Sequence, residues 1–135
     1  MEDCIFCKII KGEIPSHQLF EDEIVKVFLD VNPVSKGHLL VIPKEHYVDI
    51  FETPEHVLCR INEVCKKMAQ LCKSKLGATG VNVVNASGKD AQQSVFHTHY
   101  HVVPRFPDDG IDLWFHGKSN SMDELKEIQE KFLEN

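Results

Sequence analysis

One stretch of the sequence, residues 54–76, repeats its apolar side chains at the three- and four-residue spacing of an α-helix. Thr53 can cap the start of this helix, Pro54 suits its first turn and Gly77 can close its end. The pattern predicts a long helix with one buried stripe, which must pack against a second layer of structure. The apolar positions are 57, 58, 61, 64, 65, 68, 71, 72 and 76.

Short apolar runs bounded by turn residues lie on both sides of this helix and predict five strands. Ser121, followed three residues later by Glu124, has the spacing of a capping box and predicts a final helix that ends near residue 133. Strands joined by short turns, with one helix inserted and one appended, indicate an antiparallel sheet covered on one face, class α+β. The predicted strands span residues 18–21, 24–30, 38–43, 79–85 and 95–104.

The composition limits the class of protein. A length of 135 residues with 42% apolar and 27% charged residues predicts one globular domain spanning 1–135. The start of the chain has no secretory signal pattern and no run is long enough to cross a membrane, which predicts a cytoplasmic protein without a membrane partner. A net charge of −6 argues against a nucleic-acid partner. Five cysteines, an odd number, argue against a disulfide framework.

The most unusual motif is HTHYH at residues 97–101, with a histidine at every second position. On a strand, His97, His99 and His101 would share a face about 6.7 Å apart. Two neighbouring histidines of this row could bind one metal ion. The whole row would instead suit an elongated ligand. Alternatively, the three histidines are hydrogen-bonded residues with no binding or catalytic role. An imidazole with a pKa near 6.5 is mostly neutral at pH 7 and can act as a nucleophile, which favours phosphorus chemistry at His99.

Three motifs, in order, resemble the histidine triad (HIT) family. They are CIFCKIIKGEIPS at 4–16, FLDVNPVSKGHLLVIPKEH at 28–46 and QSVFHTHYHVV at 93–103, which is similar to the family pattern His-φ-His-φ-His-φ-φ. The resemblance covers residues 4–106 and is closest to the bacterial histidine triad nucleotide-binding proteins. It implies a five-stranded antiparallel sheet with two helices, one long and one C-terminal, and a homodimer whose sheets join.

The resemblance also implies catalytic roles. His99 would attack the α-phosphorus of a purine nucleotide conjugate and form a nucleotidyl-histidine, which water hydrolyses to a nucleoside monophosphate. His101 would contact phosphate oxygens, and His38 would join the imidazole cluster. Ser94 would hydrogen-bond the leaving group or phosphate, and Gln93 would reach the phosphate region.

The same resemblance implies a nucleotide-binding site. Asp30 would accept the ribose hydroxyls, Asn85 would lie on the phosphate side, and apolar residues would form the purine slot. Two positions depart from the family pattern: Gln92 stands where many relatives have glycine, and Thr98 is polar at an apolar position. The slot residues are Ile5, Phe6, Ile9 and Phe28.

Cys4 and Cys7 form a Cys-x-x-Cys pair that can supply two ligands to a structural zinc ion. Some bacterial relatives pair this motif with two histidines, which here implies His46 and the first triad histidine, His97, as the other ligands. Free thiols and a redox pair remain alternatives, although no thioredoxin-like pattern surrounds the motif.

The favoured function is therefore a nucleotide hydrolase of the phosphoramidase type. A dinucleoside polyphosphate hydrolase is the nearest alternative, because the sequence Val103-Pro104-Arg105 also follows the triad in those enzymes. A metal-dependent enzyme of the cupin or carbonic-anhydrase type would need a further acidic ligand, and residues 102–110 offer only Asp108 and Asp109. A regulatory protein that binds nucleotides without hydrolysing them is the third possibility.

Overall fold

The computed structural model describes residues 3–135 and contains three α-helices and five strands. Both the long helix and the final helix form where the sequence predicts them. A single 3₁₀ turn, Lys89–Ala91, lies between the last two strands. The elements are α1 (Ile5–Ile10), β1 (Gln18–Glu21), β2 (Val25–Leu29), β3 (Leu39–Pro43), α2 (Glu55–Leu76), β4 (Gly80–Asn85), β5 (Tyr100–Arg105) and α3 (Met122–Leu133).

The five strands form one antiparallel sheet in the order β1-β2-β3-β5-β4. Val27 of β2 lies opposite Val41 of β3, and Leu39 of β3 lies opposite Val102 of β5. Strands β3 and β5 are neighbours although α2 and β4 separate them in sequence, which places the end of the triad motif inside the sheet, between β3 and β4. The sheet confirms the α+β class and the five-stranded antiparallel fold.

Alternate side chains of the central strands enter two different cores. Leu39 and Val41 pack with buried residues of α2, such as Ile61, on one face of the sheet. Leu40 and Ile42 pack with residues of α1 on the other face. The sheet is therefore covered on both faces, and the expectation of one covered face is wrong. The second core contains Phe6, Ile9, Phe28, Leu40 and Ile42.

Helix α1 is the element that the sequence did not predict. It has only six residues, too few for a helical period to appear in the apolar pattern. Its start is fixed by Cys4, whose thiolate or thiol sulfur accepts a hydrogen bond from the backbone N–H of Cys7 at 3.3 Å. Its buried side chains, Phe6 and Ile9, hold it against the sheet.

The last predicted strand is too long at its amino end: β5 begins at Tyr100, and residues 95–97 form a bend. Thr98 instead donates its backbone N–H to the carbonyl of Tyr47 at 2.7 Å. Its buried hydroxyl lies 2.8 Å from that of Thr53. This pairing satisfies the polar side chain at the position where the family pattern expects an apolar one.

The same contact explains why Thr53 does not cap α2. Its hydroxyl donates to the carbonyl of Asp49 at 2.7 Å, and Pro54 occupies the cap position without a side-chain hydrogen bond. Gly77 closes the helix as predicted, with a left-handed φ of 76°.

After β5 the chain leaves the sheet. Residues 112–135, the C-terminal arm, comprise an irregular segment and α3, and no residue of α3 is buried. Ser121 and Glu124 form the predicted capping box at the start of α3. In the part of the chain that the structure describes, no helix has the length and apolar character needed to span a bilayer.

Candidate active site

A cavity of about 450 Å³ lies between α1, the end of β2 and the loop that precedes β5. One wall is apolar and is formed by the four residues of the predicted purine slot, Ile5, Phe6, Ile9 and Phe28. The polar wall contains Asp30, Ser94, His99 and His101. The cavity therefore joins an apolar slot to a set of imidazole, hydroxyl and carboxylate groups.

His99 lies almost fully buried in this wall, with 3% of its surface exposed. Its Nδ1 donates to the carbonyl oxygen of His97 at 2.8 Å, so the neutral ring carries its lone pair on Nε2. The ring of Phe6 packs edge-on against it, with centroids 5.1 Å apart. Burial lowers the pKa of His99, and the His97 carbonyl opposes that effect only partly. The Nε2 lone pair is therefore available at neutral pH.

His101 is held from behind by His38. The backbone N–H of Val34 donates to Nδ1 of His38 at 3.1 Å, so the proton of this neutral ring lies on Nε2. That Nε2 lies 2.9 Å from Nδ1 of His101 and donates to it, which leaves the proton of His101 on its own Nε2. Burial, followed by the charges of His99 and His38, lowers the pKa of His101 to about 4. His101 therefore presents an N–H donor next to His99.

Asp30 lines the cavity and also approaches these histidines. Its Oδ1 accepts the backbone N–H of Asn32 at 2.8 Å, and its Oδ2 lies 3.6 Å from Nε2 of His38. The carboxylate opposes the effect of burial on the pKa of His38, which is nevertheless lowered. Asp30 thus offers acceptor oxygens to a ligand while it stabilises the orientation of the histidine pair.

Three residues that the resemblance places in the catalytic or nucleotide-binding site, His38, Gln93 and Asn85, do not line the cavity. The amide nitrogen of Gln93 donates to the carbonyls of Val48 and Val95 at 2.6 and 3.0 Å, and its oxygen accepts from Gly88 at 2.8 Å. Gln93 therefore closes the loop that carries Ser94.

Asn85 lies behind the triad. Its amide nitrogen donates to the carbonyl of His99 at 3.1 Å, and its oxygen accepts from the Ser87 hydroxyl at 2.8 Å. The geometry makes Asn85 a residue that positions the backbone of His99.

Ser87, whose hydroxyl orients the side chain of Asn85, was not predicted from the sequence. No motif marks this residue, because the contact between Asn85 and His99 forms only when β4 and β5 pair.

Gln92 adopts a left-handed conformation, with φ of 68°. A residue with a Cβ is disfavoured in this region, whereas glycine is not, which agrees with the glycine that the resemblance implies at this position. The strain lies directly before Gln93 and Ser94, where the loop turns toward the cavity.

A second cluster lies beside the cavity and contains the four predicted metal ligands, Cys4, Cys7, His46 and His97. Nδ1 of His97 is 3.4 Å from Sγ of Cys4 and 3.6 Å from Sγ of Cys7. Nδ1 of His46 is 3.1 Å from Nδ1 of His97 and 3.3 Å from Sγ of Cys7. Helix α1 with its N-cap, and two loops, thus bring two sulfur and two nitrogen atoms close together.

This geometry fits a tetrahedral zinc ion. Bonds of about 2.0–2.3 Å to nitrogen and sulfur place the ligand atoms roughly 3.3–3.8 Å apart at tetrahedral angles. Nε2 of His97 lies 2.9 Å from the carbonyl of Pro43 and donates to it, so the lone pair of His97 lies on Nδ1, toward the cluster. His97 is fully buried, and burial lowers its pKa to about 4, so the ring is a neutral ligand.

The three histidines of HTHYH therefore serve two sites. His97 belongs to the sulfur cluster and does not line the cavity, whereas His99 and His101 do. The ring of Phe6 contacts both His97 and His99, with centroids 5.7 and 5.1 Å away. The expectation that all three rings enter one cleft from one regular strand is wrong, because the chain bends at residues 95–97.

The HIT domain family model matches residues 11–108. The chain belongs to the HIT family. A HIT-like protein of Methanocaldococcus jannaschii is 48% identical over 128 residues, which are 93% of this chain and 98% of the relative. The adenosine 5′-monophosphoramidase of Candida albicans is 37% identical over 97% of this chain and 90% of the relative. An adenylylsulfatase of Arabidopsis thaliana is 43% identical over 76% of this chain and 52% of the relative.

Solved structures agree with this assignment. A Streptococcus mutans protein superposes with a TM-score of 0.92 and 39% identity, covering 98% of this chain and 84% of that one. A zinc-bound histidine triad family protein of Mycobacterium smegmatis superposes with a TM-score of 0.80 and 37% identity, covering 87% and 85%. The similarity supports a hydrolase of the HIT family and is compatible with zinc at the cysteine-histidine cluster.

Proposed function

We propose that this protein hydrolyses nucleoside phosphoramidates or related purine nucleotide conjugates at the α-phosphorus and releases a nucleoside monophosphate. The observation that carries this proposal is the free Nε2 of His99, a neutral nucleophile in the wall of a cavity with an apolar slot. The Candida albicans relative, named as an adenosine 5′-monophosphoramidase, supports the same reaction class.

The proposed reaction has two steps. In the first, Nε2 of His99 forms a bond to phosphorus, the bond from phosphorus to the leaving nitrogen breaks, and the amine takes up a proton from water as it departs. In the second, water attacks the nucleotidyl-histidine, the bond from phosphorus to Nε2 breaks, and the proton of the water passes to solvent. His99 returns to its neutral form. The covalent intermediate divides one difficult displacement into two easier ones, and in the second the imidazole of His99 is the leaving group.

The surrounding residues position the substrate and stabilise charge. The Nε2–H of His101 would donate to a phosphate oxygen, with His38 fixing its tautomer. Ser94, which lines the cavity, would donate to the phosphate or the leaving group. Asp30 would accept the ribose hydroxyls, and the base would lie in the apolar slot. Gln93 and Asn85 would act through the loop and the backbone that they hold.

A structural zinc ion would be bound by Cys4, Cys7, His46 and His97. It would join α1 to the loop after β3 and to the residue two positions before His99. When bound, the ion supplies a cross-link rather than catalysis, because all four positions are taken by protein ligands. Phe6 and Ile9, two residues of the purine slot, lie close to Cys7 in α1. The ion would therefore connect the slot to the segment that contains His99.

A homodimer that joins two sheets would use β4. The sheet has two edges, β1 and β4, and β1 is short with an irregular register. Strand β4 pairs regularly over six residues on one side only, and its residues Val83 and Val84 are 45% and 41% exposed. A regular apolar edge is suited to pair with a second copy.

The five free cysteines support a reducing, cytoplasmic location.

The decisive experiment combines turnover with mass spectrometry. His99→Ala is compared with His56→Ala, a change at an exposed histidine of α2, on adenosine 5′-phosphoramidate. The proposal expects turnover to fall at least about 1,000-fold in His99→Ala only, since the nucleophile is gone. The intact mass of the unaltered enzyme, quenched during turnover, should increase by one adenylyl group. Unchanged turnover in His99→Ala would overturn the mechanism.

A panel of leaving groups separates the alternatives. Conjugates of adenylate with ammonia, an alkylamine, sulfate and a second adenylate should all be tested on the unaltered enzyme. Fastest turnover of the amine conjugates supports the proposal, whereas fastest turnover of the dinucleotide supports a dinucleoside polyphosphate hydrolase. Binding of adenylate with no turnover of any conjugate indicates a regulatory protein that binds nucleotides.

A further inference from the structure

Thr98 lies between His97 and His99, and its side chain is fully buried. The HIT pattern has an apolar residue at this position, which would fill the same space without a hydrogen-bond partner. A hydroxyl buried in a protein interior is unfavourable unless it is hydrogen-bonded. The polar side chain therefore indicates a contact that an apolar residue cannot make.

The hydroxyl of Thr98 forms a chain of hydrogen bonds with residues 47–53, the 47–53 loop. Each threonine hydroxyl has one proton to donate. Thr53 donates its proton to the carbonyl of Asp49 at 2.7 Å, so Thr98 donates to Thr53 at 2.8 Å. The carbonyl of Tyr47 is a more distant acceptor, 3.3 Å from the same oxygen of Thr98. Both hydroxyls therefore have partners, and a fully satisfied buried network rigidifies the segments that it joins.

The peptide unit between His97 and Thr98 connects this loop to the ring of His99. Its N–H donates to the carbonyl of Tyr47 at 2.7 Å, and its C=O accepts from Nδ1 of His99 at 2.8 Å. The N–H and C=O groups of a trans peptide point in opposite directions from one rigid plane. A displacement of the loop therefore tilts this plane and moves the acceptor that orients His99.

The same chain of hydrogen bonds stabilises charge on the ring. Hydrogen bonds in series polarise one another, so the bond to Tyr47 makes the carbonyl of His97 a better acceptor. When Nε2 of His99 bonds to phosphorus, the ring gains positive charge, and the hydrogen bond from its Nδ1 becomes charge-assisted. This bond is therefore stronger during the reaction than in the free enzyme, which is the condition for lowering a barrier.

The 47–53 loop also reaches the backbone on the other side of the nucleophile. The backbone N–H of Ile50 donates to the hydroxyl of Ser87 at 3.0 Å. Ser87 orients Asn85, whose amide donates to the carbonyl of His99. One loop thus fixes the peptide before His99 and, through two side chains, the carbonyl after it.

We propose that the 47–53 loop positions the nucleophile His99. The hydroxyls of Thr53 and Thr98 are the positioning groups, because their hydrogen bond holds the loop against the segment that carries the nucleophile. The inference rests on the proposed hydrolase, in which the orientation of His99 sets the rate. It deepens that function by assigning part of the rate to two residues that do not line the cavity.

Substitutions at Thr98 test the hydroxyl by turnover. Thr98→Val keeps the shape of the side chain and removes its hydroxyl, whereas Thr98→Ser keeps the hydroxyl. In Thr98→Val, kcat for adenosine 5′-phosphoramidate should fall about fivefold to tenfold with KM within about twofold, because the nucleophile is displaced while the cavity is intact. Thr98→Ser should restore kcat to within about twofold of the unaltered enzyme.

Thr79→Val, at an exposed threonine directly before β4, is the matched control and should leave kcat unchanged. Unchanged kcat in Thr98→Val, an equal loss in Thr98→Ser, or an increase in KM alone would each overturn the proposal. Circular dichroism and the thermal midpoint check that each variant folds.

A double-mutant cycle shows whether the two hydroxyls act together. Thr53→Val should lower kcat to about the same extent as Thr98→Val. The double variant should lose no more than either single variant, since each change breaks the same hydrogen bond. Additive losses would show that the two residues act separately, which would overturn the proposal.

Addition of metal excludes an indirect effect through His97, which is next to Thr98 in the chain. The proposal expects Thr98→Val to remain slow when Zn²⁺ is added to the purified variant. Recovery of turnover with Zn²⁺ would assign the loss to the cysteine-histidine cluster and overturn the positioning role.

A measurement without substrate separates this inference from the proposed function. Exchange of the Nδ1 proton of His99 with water is followed by ¹H–¹⁵N NMR on histidine-labelled protein without nucleotide. The proton should exchange at least about tenfold faster in Thr98→Val and Thr53→Val than in the unaltered protein or Thr98→Ser, because its hydrogen bond opens more often. Equal exchange in all four proteins would overturn the positioning role, whatever the substrate. The expected exchange pattern in a protein that does not hydrolyse phosphoramidates would support the positioning role and overturn only the proposed reaction.

Discussion

Nε2 of His38 lies 2.9 Å from Nδ1 of His101, in a pair whose proton position is fixed by the backbone N–H of Val34. The fixed tautomer leaves His101 with an N–H directed to the cavity. His38 itself does not line the cavity, so it acts on a ligand only through its neighbour. The polar wall of the cavity thus depends on His38, which lies directly before β3 and does not line the cavity itself.

Replacing His38 by alanine should therefore lower kcat with little effect on binding. The loss should be about 10- to 100-fold, less than the loss of a direct donor, because His101 keeps its ring but loses the partner that fixes its proton. The measurement is steady-state turnover of adenosine 5′-phosphoramidate. His17→Ala, at an exposed histidine before β1, is the matched control and should stay within about twofold. An increase in KM with unchanged kcat would contradict this role.

Asp30→Asn should reduce the preference for a ribose with free hydroxyls. A hydrogen bond to a charged group contributes about 1.5–3 kcal/mol, so kcat/KM for the ribonucleoside phosphoramidate should fall about 10- to 100-fold. The 2′,3′-dideoxy analogue lacks the hydroxyls, and its kcat/KM should change by less than about threefold. Because Asp30 also approaches His38, only the ratio of the two substrates isolates the ribose contact. Equal losses on both substrates would assign Asp30 to the histidine pair alone.

Metal analysis should find one zinc ion per chain, and Cys7→Ser should lose it. The ligands come from α1, the loop after β3 and the segment before β5, so loss of zinc removes a cross-link between them. The thermal midpoint should fall by at least about 10 °C, because structural zinc contributes several kcal/mol. Cys59→Ser, at an exposed cysteine of α2, is the control. Full zinc content in Cys7→Ser would disprove the ligand assignment.

The histidine pair also predicts a dependence of stability on pH. Burial lowers the pKa of His101 from 6.5 to about 4, so the unfolded chain binds more protons than the folded one between these pH values. Stability due to the neutral ring is complete above about pH 6.5 and is lost as the pH falls toward 4, by at most about 3 kcal/mol. Urea unfolding at pH 7 and pH 5 measures this loss.

The comparison that isolates this effect is His101→Gln, which cannot titrate. Loss of zinc at low pH affects both proteins alike and cancels in the difference. The variant should show a smaller decrease in stability between pH 7 and pH 5 than the unaltered protein. Identical decreases would mean that His101 is not the group responsible.

The sequence predicted most of the fold because apolar period and turn residues are local signals. The long helix, the final helix with its capping box, and five strands all form near the predicted positions. Helix α1 was missed because six residues are too few to show a period. The strand before Tyr100 was predicted too long, because the hydroxyl pair of Thr53 and Thr98 joins segments 45 residues apart and no local pattern shows such a contact.

The candidate site was predictable in part. Residue spacing alone placed the three rings of HTHYH in one row, and only the resemblance separated His97, as a ligand beside the two cysteines, from His99 at the cavity. Neither signal predicted that the amide of Gln93 is used within its own loop. Side-chain partners distant in sequence decided each case, and alternation along a strand carries no information about them.

Asn85 allows a direct test between a phosphate contact and a positioning role. Its amide donates to the carbonyl of His99 at 3.1 Å and does not line the cavity, so Asn85→Ala should misplace the nucleophile without weakening the ligand. We expect formation of the nucleotidyl-histidine to slow about tenfold in rapid-quench measurements, because small displacements of a reacting group reduce the rate strongly. The Kd for adenosine monophosphate should stay within about twofold. A residue that contacts phosphate would instead weaken adenosine monophosphate binding about tenfold, since a hydrogen bond to an anion is lost. Ser87→Ala removes the hydrogen bond that orients Asn85. This variant should also slow formation of the nucleotidyl-histidine, by less than Asn85→Ala does, and leave the Kd for adenosine monophosphate unchanged. A phosphate contact by Asn85 alone does not predict this result.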